Sequence, residues 1–220
     1  MKRLFILMVM AAFAATANAQ LWVGGGVGFN SSSTKNIKDS KTVNNRDSLI
    51  LSVSPKVGFR INKVDVGAKF TYATAKAFPD KEKSDDDWSK TTSLALSVFA
   101  RYGFANVGDL WFRVVTDLSC GLSKPETSKG SKNGEAKKTE GNKTQTVAFN
   151  LYPMLSYSIS DHFELEADLN FLGLSASLAR TDTGDDKVDS SVNHTNIGLT
   201  INNDNIATSS IMNIGFIFKF

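Results

Sequence analysis

The chain has a single cysteine, Cys120, in 220 residues. One thiol excludes an intrachain disulfide and every zinc site built on a cysteine cluster. Histidine is nearly as scarce, with only His162 and His194. Long apolar runs are missing beyond residue 19. A membrane helix needs about 20 predominantly apolar residues, so no such helix is expected there. If the protein lives in a membrane, it crosses as strands.

The one long apolar run lies at the start. Lys2 and Arg3 precede the apolar residues 4–15, and Ala17-Asn18-Ala19 is a small-x-small cleavage site. This predicts a secretory signal peptide over residues 1–19 and one domain over residues 20–220. Gln20, not cysteine, follows, so no lipid anchor is expected at that site. The signal carries two of the 25 basic residues, leaving 23 against 22 acidic ones. A balance that close to neutral gives no electrostatic case for nucleic acid as a partner.

What the sequence does have is alternation. In residues 49–61, Leu49, Leu51, Val53, Val57, Phe59 and Ile61 alternate with Ser52, Ser54, Lys56, Gly58 and Arg60. Period two is the signature of a strand with unlike faces. It recurs over residues 21–29, 64–72, 94–104, 110–122, 147–159, 163–171 and 212–220, which predicts eight strands. Long polar connections at 30–47, 75–91, 123–145 and 180–206 alternate with short turns at 62–63, 105–109 and 160–162. That rhythm belongs to an all-β, eight-stranded antiparallel up-and-down transmembrane β-barrel with four long external loops. Residues 176–209 are less regular. Ile197, Leu199 and Ile201 alternate before Asn202–Asn205, which suits either an interrupted upper part of strand eight or a small hairpin above the membrane.

The two faces differ in chemistry. One carries Val23, Val27, Phe29, Val57, Phe70, Leu96, Val98, Leu118, Phe149 and Leu165 without a charge, and aromatics gather towards strand ends. The other carries Lys56, Arg60, Lys69, Arg101 and Arg113 with Asp65, Asp117, Glu164, Glu166 and Asp168. An eight-stranded barrel is just wide enough for side chains to fill it. Charges persist inside only when paired and hydrogen-bonded. The ten residues are therefore expected to form a charge network that plugs the lumen. Two rivals stand beside this reading. Separated charges with water between them would make a small diffusion pore. A greasy face turned inward would make a secreted, lipocalin-like carrier.

The glycine-rich stretch LWVGGGVGF at 21–29 raises the question of a phosphate loop. Phe29 stands where a dinucleotide fingerprint needs glycine or alanine, and no lysine-serine or lysine-threonine pair follows. By parity Gly24, Gly26 and Gly28 point inward with Trp22 and Asn30, and Gly25 points out. They are expected to leave room for long arginines and lysines. Pro55 and Pro153, lacking a ladder donor, are each expected at a strand end, an edge or a bulge.

The glycine-rich first strand, the run Ser54-Pro55-Lys56-Val57-Gly58-Phe59 and the ending MNIGFIFKF at 212–220 resemble the small outer-membrane β-barrel (porin-like) family of Gram-negative bacteria, in its Bacteroidetes-type form. Ile214, Phe216, Phe218 and Phe220 at alternate positions look like the signal read by outer-membrane assembly machinery. The resemblance implies residence in the cell outer membrane, with lipid and lipopolysaccharide around the barrel. Family members include structural anchors, adhesins, small pores and a few lipid-modifying enzymes, so it implies no single activity.

Chemistry of other kinds is sparse. His194 with Asp189, Ser190 and Ser191 imitates a lipid-modifying set, but neighbours in one loop do not make triad geometry. Asp85-Asp86-Asp87 and Asp185-Asp186 could meet a divalent cation. The segment 123–145 holds six lysines and three glutamates, which suits anionic head groups or polysaccharide. No catalytic residue, cofactor or resident metal is expected. An extracellular ligand or surface partner would meet the loops.

Overall fold

The computed structural model describes residues 19–38, 41–78, 88–129, 137–169, 173–182, 191–200 and 212–220. The expected signal peptide, the acidic runs at 85–87 and 185–186, Asp189 and Ser190 lie outside these residues, apart from Ala19. In chain order the strands are β1 (Gln20–Lys38), β2 (Lys41–Ile61), β3 (Val64–Phe78), β4 (Trp88–Val107), β5 (Leu110–Lys129), β6 (Lys137–Glu140), β7 (Thr144–Ser158), β8 (Phe163–Asp168), β9 (Gly173–Asp182), β10 (Ser191–Thr200) and β11 (Met212–Lys219).

Closure comes from the last strand. β1 to β5 pair antiparallel in order, β7 pairs β5, β8 pairs β7, and β11 pairs both β8 and β1. The result is a ring of eight antiparallel strands. The remaining three extend it at the long-hairpin end: β6 on β5, β9 on β7 beyond β8, and β10 on β9. No helix among the described residues is long and apolar enough to cross a membrane. Strands do not need one.

The turns use local chemistry. Asn62 takes φ 55° in the connection from β2 to β3, a left-handed conformation asparagine tolerates better than most residues. Gly108 takes φ 57° between β4 and β5. Pro55 and Pro153 mark breaks in pairing. The β2–β3 ladder skips Ser54 and Pro55 between Val53↔Tyr72 and Lys56↔Lys69. β7 changes partner from β8 to β9 around Pro153, whose carbonyl accepts from Leu169 N at 3.0 Å.

Strand lengths differ from the sequence expectation. A spanning strand needs about 9–11 residues, whereas β2 has 21 and β4 and β5 have 20 each. The segments at 30–47, 75–91 and 123–145 are therefore loops only in part, because their hairpin ladders continue. Between β1 and β2 only residues 39–40 intervene. Likewise 180–206 contains the end of β9 and all of β10, which pair from Gly173↔Thr200 to Asp182↔Ser191. The strand expected over 163–171 ends as β8 at Asp168. These polar extensions carry no apolar alternation, because backbone pairing in water needs no buried face.

The faces are those of a transmembrane barrel. Val27, Phe29, Leu96 and Val98 are each more than half exposed on the outside, while Trp22, Asp65, Glu164 and Ile217 are fully enclosed. Only a closed ring satisfies every backbone group of a sheet in lipid.

Candidate functional site

The lumen is built in tiers. Nearest the short turns, three carboxylates hold five cations. Asp65, at the start of β3, accepts from Arg60 Nε at 2.6 Å and from Arg113 Nη1 at 2.9 Å, and lies 2.8 Å from Arg101 Nε. Glu164 on β8 accepts from Arg60 Nη1 at 2.7 Å and Arg113 Nη2 at 3.0 Å, with Lys219 Nζ at 3.5 Å. Glu166, two residues on and on the same face, pairs with Lys56 and Arg101. Ser156 Oγ accepts from Arg113 Nε at 2.8 Å. Guanidinium forks suit this because each spans two carboxylates in one plane.

Threaded through the charges is an apolar tier of Trp22, Phe99, Val115, Met154 and Ile217. Trp22 and Phe99 stand 6.0 Å apart, and the Arg101 guanidinium lies 4.5 Å over the indole. Glycines on neighbouring strands make this possible. A Cβ on Gly58 would meet Trp22 Cζ2 at 2.5 Å, and one on Gly24 would meet Ile217 Cγ2 at 2.7 Å. The space left by Gly24 is thus filled by an apolar side chain, not by an arginine or lysine as the alternation suggested. The closest approach of that second kind is Lys56 Nζ, 3.3 Å from a Cβ placed on Gly215.

Higher up, Lys69 Nζ lies 2.9 Å from Asp117 Oδ2. Asp168 stands opposite Asn213 and has no cation within 4 Å among the described residues. The ten charges read from the sequence thus divide into a seven-membered lower cluster, one separate pair and Asp168. Sequence reasoning missed Lys219, buried at 6 % exposure. Its parity with Ile217 and Gly215 could have found it. Ser156, the partner of Arg113, was legible in the same way.

Above the lower cluster the lumen widens into a cavity of about 470 Å3, lined by serines and threonines together with Leu94, Ala95, Leu151 and Leu174, with Lys69, Asp117 and Tyr152 also in its wall. A groove of about 820 Å3 on the outward face runs among Phe70, Leu96, Cys120, Val147 and Leu178, with Arg180 and His194 also in its wall. His194 is exposed on β10 opposite Ala179. His162 packs its ring 6.1 Å from Phe218. Among the described residues no group of three histidine, cysteine or acidic side chains could hold a metal. Ile214, Phe216, Phe218 and Phe220 share the outward face of the last strand, with Phe216 stacked on Phe163 at 6.1 Å.

No family model matches the chain, and no curated protein matches it. Solved structures do resemble it. Neisserial surface protein A is 14% identical over 93% of this chain and 98% of that one, with a TM-score of 0.38. A major outer membrane protein from Thermus thermophilus is 12% identical over 92% and 99%, with a TM-score of 0.44. The β domain of the Bordetella autotransporter BrkA is 13% identical over 81% and 67%, with a TM-score of 0.37. The fold assignment rests on the closed pairing ring itself.

Proposed function

We propose that this protein is an integral outer-membrane barrel with a closed lumen, and that its specific role is structural or one of surface interaction, carried by the long hairpins. One observation supports the closed lumen. Asp65 and Glu164 are both fully enclosed and share Arg60 and Arg113 across four strands of the ring. The outward apolar belt supports residence in lipid. The lysines of 123–145 support contact with anionic lipopolysaccharide head groups, and the alternating aromatics of β11 support recognition by the assembly machinery.

The cavity of the upper lumen favours a second reading, a small diffusion pore. Two measurements separate them. Cold and boiled samples of extracted outer membranes should differ in gel mobility, as a closed barrel resists detergent until heated. Planar bilayers holding the purified protein should show no steady conductance. Ohmic single-channel steps from the unmodified protein would replace the plug with the pore. A soluble protein with no mobility shift would sink both.

A further inference from the structure

The wall of the lumen changes character above the plug. Below, it is ionic. Above, cross-strand hydroxyl pairs take over: Ser54 with Thr71 at 3.1 Å and Ser93 with Ser123 at 2.9 Å. Lys69 and Asp117 are the only charged residues lining the cavity among those described, and they neutralise each other at 2.9 Å. Asn213 is among the lining residues, and its buried Oδ1 has no hydrogen-bond donor among the described residues.

These features select a ligand by exclusion. An ion would find no unpaired opposite charge. An apolar molecule would cover the serine and threonine hydroxyls of this mixed wall without offering them hydrogen bonds. A polyol fits, because each of its hydroxyls donates and accepts, as serine and threonine do. A volume of about 470 Å3 lies within the usual range of small-molecule sites. We propose that the upper lumen is a binding vestibule for a small neutral saccharide of one or two rings. The inference rests on the lumen being closed below, which makes the cavity a blind end.

The test uses the full barrel in lauryldimethylamine oxide, a detergent without a sugar head group. Saturation-transfer NMR would be run with glucose, galactose, sucrose and maltose. At least one should bind saturably, and Ser93→Leu should weaken that binding about tenfold by removing a hydrogen-bonding wall position and filling space. Heat-modifiable mobility reports whether the variant has folded, and Ser123→Val replaces it if it has not. Binding of none of the four, or binding that the folded variants leave unchanged, overturns the proposal. Conductance of the same sample keeps the two readings apart: a closed barrel without binding sinks the vestibule alone, and a conducting one sinks the plug.

Discussion

Arg101 lies over Trp22 with its guanidinium carbon 4.5 Å from the indole centroid. The two residues come from β4 and β1, so the contact crosses the lumen instead of following a ladder. It ties the ionic tier to the apolar one, since Arg101 also faces Asp65 and Glu166. A desolvated cation over an indole is worth about 2 kcal/mol. Space for that arrangement depends on the neighbouring Gly58, whose missing side chain is where Trp22 sits.

Removing one carboxylate from the lower cluster should cost far more than removing a whole pair above it. Asp65→Ala leaves Arg60, Arg101 and Arg113 short of a shared partner. A loss of about 3–5 kcal/mol is expected. Replacing both Lys69 and Asp117 by Met and Leu should cost less, because the two members of that pair leave together. Urea titrations of the folded barrel in lipid vesicles would check both. Equal losses would show that the clusters do not differ in kind.

The glycines should be sharply position-dependent. Gly58→Val would drive a Cβ to 2.5 Å from both Trp22 Cζ2 and the Val66 carbonyl. Overpacking of this sort costs about 1–3 kcal/mol. Gly25→Ala points outward and meets nothing nearer than 3.8 Å. The fraction of protein showing a heat-dependent gel shift should fall for the first and hold for the second.

Cys120 offers a probe of the membrane belt. Its thiol is exposed on the same face as its cross-strand neighbours Leu96 and Val147. In intact membranes a charged, water-soluble maleimide should not label it until detergent is added, because lipid excludes the reagent and the reaction needs a thiolate. Rapid labelling by the charged reagent in intact membranes would put this face in water.

Acid should loosen the small extension at β6. Glu140 Oε2 lies 2.6 Å from Lys124 Nζ, and that hydrogen bond holds its carboxyl below the ordinary glutamate value of 4.5. A lowered value means the contact contributes fully above 4.5 and is lost as pH falls through the lower, folded value. Amide exchange in β6 (Lys137–Glu140) should therefore quicken, relative to β5, only under strongly acidic conditions. Glu140→Gln should remove that pH dependence. An unchanged profile in the variant would assign it elsewhere.

Much of the ring was legible because alternation is a local property. Each strand's pleat sends successive side chains to opposite faces, so parity alone placed Lys56, Arg101 and Glu166 together on one side. Parity did not say which of them pair. Lys56 and Glu166 are 110 positions apart, and they meet only because closure of β11 on β1 and β8 sets the stagger of the whole ring. The upper hairpins were read as loops for a related reason. A ladder between two polar strands in water leaves no alternation to detect, as in Asn30↔Ile50 to Lys38↔Lys41.

By itself, then, the sequence determined that the chain forms strands of unlike faces, which residues share a face, and that its one thiol closes no intrachain disulfide. Tertiary structure alone decided that Trp22 and Ile217 fill the glycine gaps, that Asp65 and Glu164 serve several cations each, and that Lys69 and Asp117 stand apart in the wall of a cavity. The reason is physical. Face is fixed residue by residue by the pleat, whereas partner and cavity follow from register, and register exists only once the ring has closed.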